Sequence, residues 1–126
     1  MKRILIVDDD ISTTESISTY LIDNGYEVQT AVNGIEGLDL VKKFDPDLLI
    51  SDIRMPKLSG LELYSVLQGM NFNKPIIFIS SFNYRESTTK NLNISAYCEK
   101  PINIFELAGY IKRALHPDEA KAITIT

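Results

Sequence analysis

The chain predicts an α/β fold: a doubly wound, five-stranded parallel sheet in the order 2-1-3-4-5, with helices on both faces. Three observations lead there. Short strand-like and longer helix-like stretches alternate along the 126 residues, the pattern of a parallel sheet joined by helical crossovers. Most strand-like runs are continuously aliphatic rather than alternating, as strands buried on both faces must be. The run over 26–31 alone is short and mixed, which suits a sheet edge and places the second strand outside the first.

Ile4-Leu5-Ile6-Val7 is the heart of the first strand, Arg3–Val7, which runs into Asp8-Asp9-Asp10. Thr14, Ile17, Ser18 and Leu21 recur at helical spacing and predict a helix over 12–23. Asn24-Gly25 ends it, the glycine serving as a left-handed cap. After the edge strand, Asn33 caps a helix over Gly34–Phe44 that turns Ile35, Leu38 and Val41 inward and stops at Asp45-Pro46. Gly37 inside it costs about 1 kcal/mol relative to alanine. The third strand, 47–51, has Asp52 at its end, and a loop over 53–58 follows. Ser59 caps a helix from 60 to about 70. The fourth strand, 75–79, ends in Ser80-Ser81. Residues 83–92 are rich in Ser, Thr and Asn, and predict only a weak helix, with little apolar area to offset its ordering entropy. The fifth strand, Ala96–Glu99, leads into Lys100-Pro101. A last helix opens at Asn103, with Glu106 as capping-box partner, and carries Ile104, Leu107, Ala108, Ile111 and Leu115 on one stripe up to Pro117.

Composition narrows the function. Apolar residues make up 44% and charged residues 24%, ordinary for a globular domain. One domain over 1–116 is expected, with 117–126 a tail or the start of a linker. The net charge of −4 argues against direct nucleic-acid binding, which needs a basic face. No apolar stretch approaches the ~18 residues of a membrane span. The single Cys98 excludes an intramolecular disulfide and reads as a buried structural thiol. A cytoplasmic setting follows.

The strand ends carry the chemistry. A like-charge pair at ~4 Å costs roughly 4 kcal/mol at an effective dielectric of ~20. Carboxylates crowded at a strand end therefore call for a cation, and Mg²⁺, bound by one or two carboxylates and waters, is the hard-ion choice. The alternative for Asp8-Asp9-Asp10 is a solvated strand end with Asp10 capping the next helix. In the flavodoxin-like order 2-1-3-4-5, strands one and three are neighbours. Asp8, Asp9 and Asp52 then converge at the topological switch point, where ligands bind. Asp52 can act as a nucleophile toward phosphorus, with Lys100 and Ser80 as cation and hydroxyl donor for a phosphoryl group.

Read together, these segments resemble a bacterial response-regulator receiver domain of two-component signalling, over about residues 2–115. The resemblance is carried by ILIVDDD (4–10), NGYEV (24–28), NGIEGL (33–38), DPDLLISDIRMPKLSGLEL (45–63), KPIIFISS (74–81) and YCEKP (97–101). It implies that Asp52 is the phosphoacceptor and that Asp9 and Asp52 ligate Mg²⁺ directly. Asp8 would hold a metal-bound water, and the Arg54 backbone carbonyl would complete the protein ligands. Ser80 and Tyr97 match the switch hydroxyl and switch aromatic, Lys100 the phosphate-pairing lysine, and Lys100-Pro101 the usual cis peptide. The implied partners are a histidine kinase or histidine phosphotransfer protein, a downstream output domain or protein, and a phosphorylation-dependent second copy. The chain would not itself be an enzyme.

Taken singly, the same residues have plainer readings. Tyr97 alone is a half-buried strand aromatic, Ser80 a turn hydroxyl, Lys100 a turn lysine, and Arg54 and Lys57 solvated loop charges. His116 reads as a cation at a helix C-terminus or as part of the tail. Two competing functions are a phosphohydrolase of the haloacid-dehalogenase type, loosely suggested by Asp8–Ser12, and a phosphorylation-independent interaction module. The chain also departs from the family pattern. Ser81 replaces a small alanine, Asn93-Ile94 replaces Gly-Ala, and the stretch from Ser80 to Lys100 is about two residues short. Asn93 is expected to supply the left-handed conformation of the missing glycine.

Overall fold

The computed structural model describes residues 1–81 and 91–118. Its aliphatic runs form β1 (Arg3–Val7), β3 (Leu48–Asp52) and β4 (Ile76–Ser80), flanked by β2 (Glu27–Ala31) and β5 (Ala96–Glu99). All pairings are parallel, in the order β2-β1-β3-β4-β5. The three central strands are buried almost throughout, whereas β2 exposes Glu27, Gln29 and Thr30 at the edge. The expected sheet is therefore the observed one.

Helices α1 (Ile11–Asp23), α2 (Gly34–Phe44), α3 (Gly60–Gly69) and α4 (Ile104–Leu115) cover the sheet. One face packs Ile4, Ile6, Ile50, Ile77 and Ile79 against Ile17 and Leu21 of α1 and Leu107 and Ile111 of α4. The other packs Leu5, Val7, Leu49 and Phe78 against Val41 and Phe44 of α2 and Leu63 and Leu67 of α3. The alternation along each strand sends successive side chains to opposite cores. The predicted stripes of α1 and α4 face inward, with Thr14, Ile17 and Leu21 buried on α1. No helix among the described residues is long and apolar enough to cross a membrane.

Several local expectations are corrected. Ile35 is not an inward residue: it is 53% exposed, and α2 instead buries Gly34, Gly37, Val41 and Phe44. The helix lies so close to β1 that a Cβ on Gly37 would come within 2.9 Å of Val7 Cγ2. The propensity cost of this glycine is thus exchanged for close helix–sheet contact. The complete capping box lies at Ser59 and Glu62 of α3. At α4, Asn103 accepts from the N–H groups of Phe105 and Glu106. Asn93 is not left-handed; among the described non-glycine residues only Asp45, Lys57 and Asn71 have positive φ. The weak helix expected over 83–92 lies, but for Asn91 and Leu92, outside the described residues, as does the tail from 119.

Candidate functional site

The site grows out of strand register. Val7 of β1 pairs with Ser51 of β3, so the next residues, Asp8 and Asp52, stand level on adjacent strands. Asp52 pairs in turn with Ile79, and Ser80 with Glu99. Past Glu99, the Lys100 N–H donates to the Ser80 carbonyl at 2.7 Å, which carries the β4–β5 ladder one residue further. The ladder thereby delivers the Lys100 side chain to the carboxylates. The Lys100–Pro101 peptide is cis.

The three consecutive aspartates take different roles. Asp10 caps α1, accepting from the Thr13 N–H and hydroxyl, and these bonds lower its pKa. Asp8 is fully buried. Asp9 is exposed. Carboxylate oxygens of Asp8, Asp9 and Asp52 lie within 4.8 Å of one another. The triplet is thus divided: Asp10 caps α1, as the plainer reading expects, while Asp8 and Asp9 join Asp52 in a carboxylate cluster.

Lys100 is the internal cation of this cluster. Its Nζ donates to Asp52 Oδ2 at 2.9 Å. It also lies 2.8 Å from Asp8 Oδ2, an ion contact without hydrogen-bond alignment, since that oxygen has no directed partner. The other oxygen of each carboxylate meets main chain. Asp8 Oδ1 accepts from the Asp10 N–H at 2.9 Å, and Asp52 Oδ1 from the Arg54 N–H at 3.3 Å. Burial raises the Asp8 pKa and the Asp52 charge adds to this, against the lowering by Lys100 and the Asp10 N–H. Burial alone would lower the Lys100 pKa, but its contacts to Asp8 and Asp52 outweigh that and raise it.

Ser80 is buried at the end of β4. Tyr97 is half-buried opposite Phe78, on the sheet face shared with α2 and α3. Arg54 is exposed, but its backbone lies on the crevice. His116 is the C-cap of α4 and meets the Tyr26 hydroxyl at 3.3 Å, away from the carboxylates along the chain and in the fold. Cys98 is buried, and burial pushes its thiol up to about 11.

Two residues of the site were not singled out from sequence. A Cβ on Gly60 would overlap the Asp52 carbonyl oxygen and crowd Ile53 Cα, so only glycine lets α3 start against the strand end. The buried Ser51 hydroxyl donates to the same carbonyl at 2.9 Å. Gly60 directly after a capping serine was the available signal; Ser51 had none.

The donor set is all hard oxygen, two parts buried and one exposed, with an ammonium holding the place of positive charge. Mg²⁺ fits this chemistry: it takes one or two carboxylates at ~2.0–2.1 Å and keeps waters on its open side. The exposed Asp9 leaves the carboxylate cluster open to solvent.

The family model of the response regulator receiver domain matches residues 4–112. Response regulator MprA of Mycobacterium avium is 33% identical over an alignment covering 98% of this chain and 57% of that protein. The chain spans about half the length of the curated relatives it matches. The Francisella response regulator 1452 receiver domain superposes with a TM-score of 0.86 at 28% identity, covering 94% of this chain and 99% of that one. The response regulator protein TrrA of Thermotoga maritima, solved in complex with Mg²⁺ and BeF, gives 0.83 at 35% identity, covering 91% and 100%.

Proposed function

We propose that this chain, which belongs to the response regulator receiver-domain family, takes a phosphoryl group onto Asp52 from the phosphohistidine of a partner kinase or phosphotransfer protein. One observation carries the assignment. Asp52 alone ends the central strand while sharing a 4.8 Å carboxylate cluster with Asp8 and Asp9 and holding Lys100 at 2.9 Å. An Asp52 oxygen attacks phosphorus as the N–P bond breaks. The imidazole leaves with the electron pair, and Asp52 becomes an acyl phosphate. Lys100, already beside Asp52, follows the new charge onto a phosphoryl oxygen, and the Ser80 hydroxyl donates to another. Mg²⁺, held by Asp8, Asp9 and Asp52 with the Arg54 carbonyl, would neutralise phosphoryl oxygens when bound.

Movement of Ser80 toward the phosphoryl group frees space for Tyr97. The surface over α4 and β5 is then biased toward a second state, read by an output domain, an output protein or a second copy of the chain. The donor's approach is supported by an open groove of about 800 Å³ beside Lys100, lined by Ser16, Ile17, Tyr20, Pro101, Ile102 and Ile104. Residues to 116 form the receiver, 117–126 a tail or linker start, and the setting is cytoplasmic.

The test is intact mass after incubation with Mg²⁺ and acetyl phosphate. Wild type should gain one phosphoryl group and Asp52→Asn none. Equal gain in both refutes the assignment. Steady turnover of a phosphate ester by the same protein would instead support the phosphohydrolase reading.

A further inference from the structure

Asn93 stands where the resemblance places a glycine, yet it does not adopt the left-handed backbone. Its N–H donates instead to the Tyr64 hydroxyl at 2.8 Å. The bond joins α3 to the approach of β5, across 29 positions of sequence. Two residues later, the Ser95 N–H donates to the Ile76 carbonyl at 2.8 Å and opens the β4–β5 ladder. The Tyr64 ring rests on Phe78 of β4, with centroids 6.2 Å apart, and Phe78 is the register partner of Tyr97. Tyr64, Leu92, Ile94 and Tyr97 pack against the same core. One side chain of α3 therefore touches the strand beneath the switch aromatic and holds the backbone four residues before it.

We propose that Tyr64 is a positioning residue of the switch: its hydroxyl restrains the entry of β5, and with it Tyr97, in the arrangement of the unphosphorylated protein. The inference rests on the phosphoacceptor reading above. The bond is seen while Lys100 is engaged by Asp8 and Asp52, the arrangement that precedes phosphoryl transfer. A rotation of Tyr97 that shifts the β5 backbone must stretch it. A ligand shifts a two-state equilibrium only by its differential affinity for the states. A bond made in the resting state and lost in the phosphoryl-bound state therefore weakens binding of a phosphoryl mimic, and removing it strengthens that binding. Asn93 is exposed, so water competes for its N–H and the effect belongs at the low end for a hydrogen bond, roughly threefold.

The experiment titrates wild type, Tyr64→Phe and Asp52→Asn with beryllofluoride in the presence of Mg²⁺, following ¹⁹F resonances for affinity and Tyr97 ring resonances for the switch. Amide exchange at Asn93 reports the bond itself. Expected are protection of the Asn93 amide in wild type and its loss in Tyr64→Phe. The variant should bind beryllofluoride about threefold more tightly, with Tyr97 resonances of the ligand-free protein displaced toward the bound position. A lower melting temperature with unchanged affinity would make Tyr64 merely structural and overturn the proposal. Weaker binding by Tyr64→Phe, or an unprotected Asn93 amide in wild type, also overturns it. If wild type binds no better than Asp52→Asn, the phosphoacceptor reading fails and the restraint fails with it. If wild type binds and Tyr64→Phe binds equally, only the restraint fails.

Discussion

Replacing Lys100 by Met removes the internal cation while keeping most of its aliphatic stem. In the wild type the ammonium sits 2.8 Å from Asp8 and 2.9 Å from Asp52. At an effective dielectric of ~20, each contact corresponds to about 6 kcal/mol of attraction. The ammonium's own desolvation cancels much of this. Its loss also unmasks repulsion between two carboxylates within 4.8 Å, about 3.5 kcal/mol at the same dielectric. Removing one partner of a buried ionic group costs ~3–5 kcal/mol. The side chain of Lys100 keeps 15% of its exposure, so the low end applies. Lys100→Met should lose about 3 kcal/mol in metal-free urea unfolding at neutral pH, or roughly 10 °C in Tm. Saturating Mg²⁺ should return more stability to the variant than it adds to wild type, because the ion then has no ammonium to displace from Asp8.

The pH dependence has a definite sign. The raised Asp8 pKa makes its ionised form costly in the folded state. That cost is present at neutral pH and fades as pH falls through the raised value toward 3.8, the value of an unperturbed carboxylate. Without Lys100 the cost grows, so the variant's deficit should shrink on acidification. At the other end, the raised Lys100 pKa contributes stability that is complete below 10.5 and lost as pH rises through the folded-state value. Wild type should therefore approach the variant in strong base. A metal-free loss below about 1 kcal/mol, or equal gains from Mg²⁺ in the two proteins, would refute the picture of Lys100 as the cluster's counter-ion.

Three further outcomes are expected. Asp9→Asn should abolish stabilisation by Mg²⁺ while leaving the metal-free protein as stable or slightly more so; a full Mg²⁺ effect in the variant, measured by melting, removes Asp9 from the ligand set. Ser80→Ala should still gain a phosphoryl group by mass, but its Tyr97 ring resonances should no longer respond to beryllofluoride; an unchanged response rules out the coupling. Gly60→Ala should lose about 1–3 kcal/mol by overpacking and accept phosphate more slowly from acetyl phosphate, because its methyl group meets the Asp52 carbonyl; wild-type stability and rate would show that the contact relaxes freely.

Residue patterning alone specifies the sheet, its order and the edge on which the polar strand ends gather. Runs such as Ile4–Val7 and Ile76–Ile79 have no polar side to show to water, so they must be central and covered by helices on both faces. The mixed 26–31 run must take an edge, and right-handed crossovers leave few ways to connect the rest. Charged residues at three strand ends and a hydroxyl at a fourth then meet on one side, whatever the details of packing. Tertiary structure decided what depends on distance and local competition. It split Asp8-Asp9-Asp10 between the crevice and a helix cap, because the chain must turn there and α1 needs an acceptor for the Thr13 N–H. It bridged two carboxylates with Lys100, an arrangement set by one extra rung of the β4–β5 ladder. It turned Ile35 outward, since α2 seats the stripe of Gly34, Gly37, Val41 and Phe44 on the sheet, with Gly37 close against Val7. It gave the Asn93 N–H to Tyr64 in place of a left-handed turn. Periodicity and residue type report which groups must leave water; they do not report how closely two backbones approach, and at this site that approach selects the partners.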